Sequence, residues 1–221
     1  MELKNRFKLV FYVVILLLSL GNIVFATGNI KDQVNQGNFY YEEGNYDMAE
    51  KYWKMAADQG DIEAQYALGI LYEDTGRTDF SEKYYKMAAI QGDKDAQYNL
   101  GVLYDDQKKF AEAEKYYKMS ADQGDMDAQY NLGLLYKNQK KYTQAEKYWK
   151  IASDQGDLEA QNNLGILYEE QKKYDLAEKY YKMAADDGLK DAQYNLGLFY
   201  SDQGKKELSK KYKEMVENNK N

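Results

Sequence analysis

Asp95-Ala96-Gln97-Tyr98-Asn99-Leu100-Gly101 returns as Asp127 to Gly133 and as Asp191 to Gly197, with Glu159 to Gly165 and Glu63 to Gly69 as close variants. The Leu-Gly pair falls at 68/69, 100/101, 132/133, 164/165 and 196/197, a step of 32 residues each time. A fixed period in this range marks a stacked repeat array. Each unit of such an array touches only its neighbours, so the product is an extended surface and not a closed catalytic pocket. Binding is the function class this favours.

Within the unit Gly92 to Gln123, Ala96, Leu100, Leu103 and Tyr104 recur at helical spacing, and Phe110, Ala113, Tyr117 and Ser120 form a second stripe. The connection Gln107-Lys108-Lys109 has room only for an antiparallel helix hairpin. The column of Lys108 holds glycine at 44, 76 and 204, as a left-handed turn requires, while lysine at 108, 140 and 172 implies that the requirement is not absolute. Gly60, Gly92, Gly124, Gly156 and Gly188 stand at helix C-caps. Asp61, Asp93, Asp125 and Asp157 follow as N-caps, and Leu189 breaks that series. Gly69, Gly101, Gly133, Gly165 and Gly197 lie inside a helix, where glycine costs about 1 kcal/mol against alanine. That predicts a close helix crossing, with Ala113, Ala145 and Ala177 as the facing surface.

Three linked motifs, Ala-Gln-Tyr-Asn-Leu-Gly-x-Leu-Tyr (Ala96 to Tyr104), Ala-Glu-Lys-Tyr-Tyr-Lys-Met-x-Ala (Ala113 to Ala121) and Gly124-Asp125, resemble the Sel1-like repeat, a relative of the tetratricopeptide repeat. The expected fold is all-α: an α-solenoid of antiparallel helix hairpins with a 32-residue period, about five full repeats and a degraded C-terminal capping repeat. The repeats run about 28–59, 60–91, 92–123, 124–155, 156–187 and 188–219, within a domain spanning 27–221. Between its two helices the unit lacks the extra residues usual in Sel1 repeats and looks there like a tetratricopeptide hairpin.

The chain has no Cys, His or Pro. That excludes thiol nucleophiles, disulfides, Cys/His zinc sites and histidine bases, and no cofactor or metal site is expected. The formal charge is −7, although Lys4, Arg6 and Lys8 outnumber Glu2 in residues 1–26. The acidic excess therefore sits in the repeats and disfavours nucleic acid. Residues 1–26 combine a basic start, the apolar run Leu9 to Leu20 and a small-residue site ending at Ala26, the layout of a secretory signal peptide. The alternative is a membrane anchor over residues 9–26, near the lower length limit for a spanning helix. Both readings export the repeats: to periplasm or medium if the segment is cleaved, or tethered with the repeats outside the cytoplasm.

Two aromatic columns, Tyr52, Tyr84, Tyr116, Tyr148, Tyr180 and Tyr212 beside Trp53, Tyr85, Tyr117, Trp149 and Tyr181, fit ligand stacking or, as aromatic stripes at helical spacing usually do, core packing. The first helices carry Asn99, Asn131, Asn163 and Asn195, preceded by Tyr98, Tyr130 and Tyr194, with Tyr66 in the same tyrosine column. By resemblance this helix lines the concave face, where an asparagine ladder grips the backbone of an extended peptide. An amide offers donor and acceptor together, so it can pair with any peptide unit; bonding between neighbouring helices is the alternative use. Glu73, Asp74, Asp105 and Asp106 end first helices, against the macrodipole, which suits attraction of a basic partner or plain solvation.

The expected function is an exported, non-enzymatic scaffold binding a protein or peptide on its concave face. Two alternatives remain: a secreted hydrolase acting on cell wall or β-lactams, and a purely structural, surface-displayed envelope protein. Some secreted Sel1-like proteins have been linked to β-lactam chemistry, but those relatives are rich in cysteine, and Ser209-Lys210-Lys211 does not complete a Ser-x-x-Lys element.

Overall fold

The computed structural model describes residues 29–218, so the exported-segment reading of residues 1–26 lies outside it. Among the described residues there are twelve helices and no strand. They are α1 (Ile30–Glu42), α2 (Tyr46–Ala57), α3 (Ile62–Asp74), α4 (Thr78–Ile90), α5 (Lys94–Asp106), α6 (Phe110–Ala121), α7 (Met126–Asn138), α8 (Tyr142–Asp154), α9 (Leu158–Glu170), α10 (Tyr174–Asp186), α11 (Lys190–Asp202) and α12 (Lys206–Asn218). Odd and even helices pair as antiparallel hairpins, and the fold class is the α-solenoid. None of the described helices is long and apolar enough to cross a membrane. The chain divides into two compact units, one ending at Ala96 and one starting at Gln97.

Both kinds of connection end in the same backbone device. At the α5–α6 turn, Lys108 N–H bonds Asp105 O and Lys109 N–H bonds Tyr104 O, both at 2.8 Å, the paired bonds of a Schellman cap. The residue in the middle must be left-handed, and Lys108, Lys140 and Lys172 are, with φ of 59°, 60° and 57°. The requirement is thus absolute, and the lysines meet it rather than relax it. Asp61, Asp93, Asp125 and Asp157 each accept the N–H three residues on, at 2.6 to 2.8 Å. Leu189 makes no such bond.

In the first unit, a methyl on Gly69 would overlap the ring of Tyr85, and one on Gly37 would overlap Trp53. In the second, Gly101, Gly133 and Gly165 face Tyr117, Trp149 and Tyr181 in the same way. The close crossing expected from the buried glycines is therefore real, but aromatic rings occupy it, not the alanine column. Phe110 also departs from the expected core stripe: it is 47% exposed, while Ala113, Tyr117 and Ser120 are buried. The aromatic columns are packing residues, with Tyr84, Tyr116, Tyr148, Tyr180 and Tyr212 buried beside their neighbours.

Glutamine rungs tie the two ends of a hairpin together, and tyrosine hydroxyls tie each hairpin to the one before it. Gln91 Nε2 donates to the buried Gln65 Oε1 at 2.7 Å in the first unit. Gln123 to Gln97 and Gln155 to Gln129 repeat the bond in the second, at 2.7 and 2.6 Å. The hydroxyls of Tyr136, Tyr168 and Tyr200 donate to Glu114, Glu146 and Glu178 of the preceding hairpin at 2.9, 2.7 and 2.8 Å. Lys141, Lys173 and Lys205 lie over the same three rings. Burial pushes the Glu146 carboxyl up, but hydrogen bonds from Lys150 and Tyr168 outweigh it and hold the group below the usual carboxylate range.

Candidate binding face

An odd-numbered helix buries one stripe in its hairpin and leaves another half in solvent. On α7 the buried stripe is Ala128, Leu132, Leu135 and Tyr136, and the outer one is Asp127, Tyr130, Asn131 and Leu134. The same outer pattern is Asp191, Tyr194, Asn195 and Leu198 on α11; on α9 it is Glu159, Asn163 and Ile166, with Asn162 in the tyrosine column buried. Spacings of three, four and seven residues put each set on one helix face.

The second unit brings most of the sequence-predicted residues together. Asn131 Nδ2 donates to the Tyr98 hydroxyl at 3.2 Å, and Asn163 Nδ2 to the Tyr130 hydroxyl at 3.3 Å. Asn195 Nδ2 donates to Asn162 Oδ1 at 3.0 Å. Each amide thus spends one N–H on the neighbouring repeat, so the helix-to-helix use is realised. Oδ1 of Asn131 and of Asn163 has no partner among the described residues, and a tyrosine hydroxyl that accepts keeps a proton to donate. Tyr194 is 52% exposed. Asn99 is partly exposed. In the first unit, Tyr66 packs against Tyr85 with ring centroids 5.9 Å apart.

Carboxylates border these hydroxyls. Burial raises the Tyr98 hydroxyl pKa, with the nearby charge of Asp127 adding to it, and Tyr130 is raised by burial with Glu159 and Asp157 nearby. Burial, then the like charges of Asp191 and Asp157, push the Glu159 carboxyl up. Partial exposure and mutual repulsion make this an electronegative row.

Three of the acidic residues at the helix ends accept internal hydrogen bonds. Tyr85 donates to Glu73 at 2.6 Å and Tyr41 to Asp74 at 2.8 Å in the first unit; Tyr181 donates to Glu169 at 2.7 Å in the second. Asp105 is partly buried, and that burial together with Asp106 raises its carboxyl. Glu73, Asp74 and Glu169 thus anchor tyrosines, a use the sequence pattern did not disclose. A surface depression of about 390 Å³ lies at this turn edge, between Glu169, Glu170, Tyr174 and Phe199, and includes none of the amide rungs. No group of three or more acids among the described residues is arranged to hold a metal ion.

Two rows escaped the sequence reading: the aliphatic side chains Val102, Leu134, Ile166 and Leu198, and the first-turn acids Asp127, Glu159 and Asp191. The available signal was position. Each aliphatic lies one turn beyond the tyrosine column and off the buried Leu-Tyr stripe, so its surface has no hairpin neighbour to cover it fully.

The tetratricopeptide repeat family model matches residues 34–96, 66–128 and 130–192, and a second model of the same repeat matches 191–214. The chain is a tetratricopeptide repeat protein. Its Sel1-like character shows in solved structures. A protective antigen of uropathogenic Escherichia coli displaying an SLR fold superposes with a TM-score of 0.77 at 25% identity, over 88% of this chain and 47% of the antigen. The chain therefore spans less than half of the antigen's length. A Sel1 repeat protein from Oxalobacter formigenes gives 0.64 at 27% identity over 87% of each chain. MamA gives 0.59 at 25% identity over 72% of this chain and 97% of its own. No curated protein matches the sequence. A tetratricopeptide array of this kind is a scaffold typical of protein–protein interaction.

Proposed function

We propose that this tetratricopeptide repeat protein is an exported, non-enzymatic scaffold that holds an extended, basic segment of a partner protein on the concave side, along the outer face of its first helices. Export rests on the layout of residues 1–26. The observation that carries the binding reading is the repeated outer face of α7, α9 and α11, in which every helix offers an amide or hydroxyl next to an exposed carboxylate. Backbone-directed polar groups select an extended chain, and the carboxylate row selects its charge. Acidic residues beside the rungs also speak against nucleic acid as partner.

The test is fluorescence anisotropy with labelled basic peptides and the purified chain. Changing Asp127, Glu159 and Asp191 together to Lys removes the acidic row at exposed positions. Affinity for basic peptides should drop at least tenfold while the thermal unfolding midpoint stays within a few degrees. Unchanged affinity would remove this face from the proposal.

A further inference from the structure

In the second unit, two columns mark the face of α6, α8 and α10 that meets the following hairpin. Glu114, Glu146 and Glu178 accept the hydroxyls of Tyr136, Tyr168 and Tyr200 at 2.7 to 2.9 Å. The carbonyls of Ala121, Ser153 and Ala185 accept from Gln129, Gln161 and Gln193. In α12 the same columns hold Lys210 and Glu217. An ammonium has no lone pair for a tyrosine hydroxyl to donate to, so this face is not made for another hairpin of the same kind. Lys206, Lys210, Lys213, Glu214 and Glu217 stand exposed on it and line a depression of about 400 Å³.

The charge order of α12 is reversed as well. The other three helices place glutamate four residues before lysine, at 114/118, 146/150 and 178/182, the order that agrees with the macrodipole. On the exposed face of α12 all three lysines precede both glutamates. Within the helix this order returns little, since Lys210 and Glu214 lie 3.7 Å apart with side chains 71% and 57% exposed. Val216 adds an incompletely covered apolar group in the column where Ala152 and Ala184 are fully buried. A face that is basic in its first half and acidic in its second is complementary to a reversed copy of itself. A second α12 lying antiparallel sets Lys210 and Lys213 against Glu217 and Glu214 of the other copy, and each acidic half then lies beside a positive helix N-terminus. A parallel copy would face lysine with lysine.

We infer that two copies of the chain associate through α12, packed antiparallel about a two-fold axis so that the same patch serves both sides. The test is sedimentation equilibrium of the purified chain beside two charge variants, Lys210→Glu with Lys213→Glu and Glu214→Lys with Glu217→Lys. The unmodified chain should sediment at twice the mass of one chain at high micromolar concentration, and added salt should weaken the association. Each variant alone sets like charges against each other and should associate at least tenfold more weakly. Their equimolar mixture pairs an all-acidic face with an all-basic one and should recover the double mass, which also shows that both variants are folded. A single-chain mass for the unmodified protein, variants that associate as it does, or a mixture no tighter than its components would each overturn the inference.

Discussion

At Gly101 an added methyl would run into the ring of Tyr117, whereas at Gly197 the facing side chain is Lys213, with Cγ at 3.2 Å. Each aromatic in the second-helix column thus needs a bare backbone opposite, and the last hairpin has dropped the ring but kept the glycine. Gly101→Ala should destabilise by about 1–3 kcal/mol, since overpacking outweighs the propensity gain. Gly197→Ala should instead stabilise by up to about 1 kcal/mol, because a lysine stem can move aside. Urea denaturation of both variants checks this, and equal shifts of the midpoint would show that the ring is not what the glycine accommodates. The glycine column was legible in the sequence as a close crossing, but its partner was not. Alanine looked like the natural neighbour of glycine, and only the hairpin geometry shows that the ring one turn later lies across the gap.

Among the junctions that lead into a first helix, the one before α11 departs from the pattern of the others. Residues 187–189 read Asp-Gly-Leu where earlier junctions read Gln-Gly-Asp. Leu189 gives α11 no side-chain cap, and Gln161 Oε1, which by position would accept from a glutamine at 187, is buried with no hydrogen-bond partner among the described residues. Asp187→Gln should supply the missing donor and Leu189→Asp the missing cap, each adding about 1 kcal/mol. Their effects should appear as slower amide exchange in α11 and α12, and unaltered exchange there would show that the junction is not the weak point. The helices, their order and the aspartate caps follow from the 32-residue pattern because caps and apolar spacing are local. The Gln-Gln rungs do not, since their partners stand 26 residues apart and nothing in either short motif names the other. The left-handed lysines were misjudged for a related reason: a residue type reports preference, whereas the Schellman bonds report necessity.

For the molecule as a whole, hydrogen-bonding rungs and carboxylates recur on one face of the first helices of the second unit, and the function proposed for that face is to hold an extended chain. The rungs themselves were visible as an asparagine column with tyrosines beside it, but their division of labour was not. Each amide gives one N–H to the preceding repeat, which fixes the face and still leaves groups to present. The most direct measurement is a hydroxyl-radical footprint of the chain with and without a saturating basic peptide. Tyr130, Leu134, Ile166 and Leu198 should lose reactivity on binding, while the turn-edge rings of Phe110, Tyr142 and Tyr174 should keep theirs. Protection of the turn-edge rings with Leu134 and Ile166 unchanged would contradict the account.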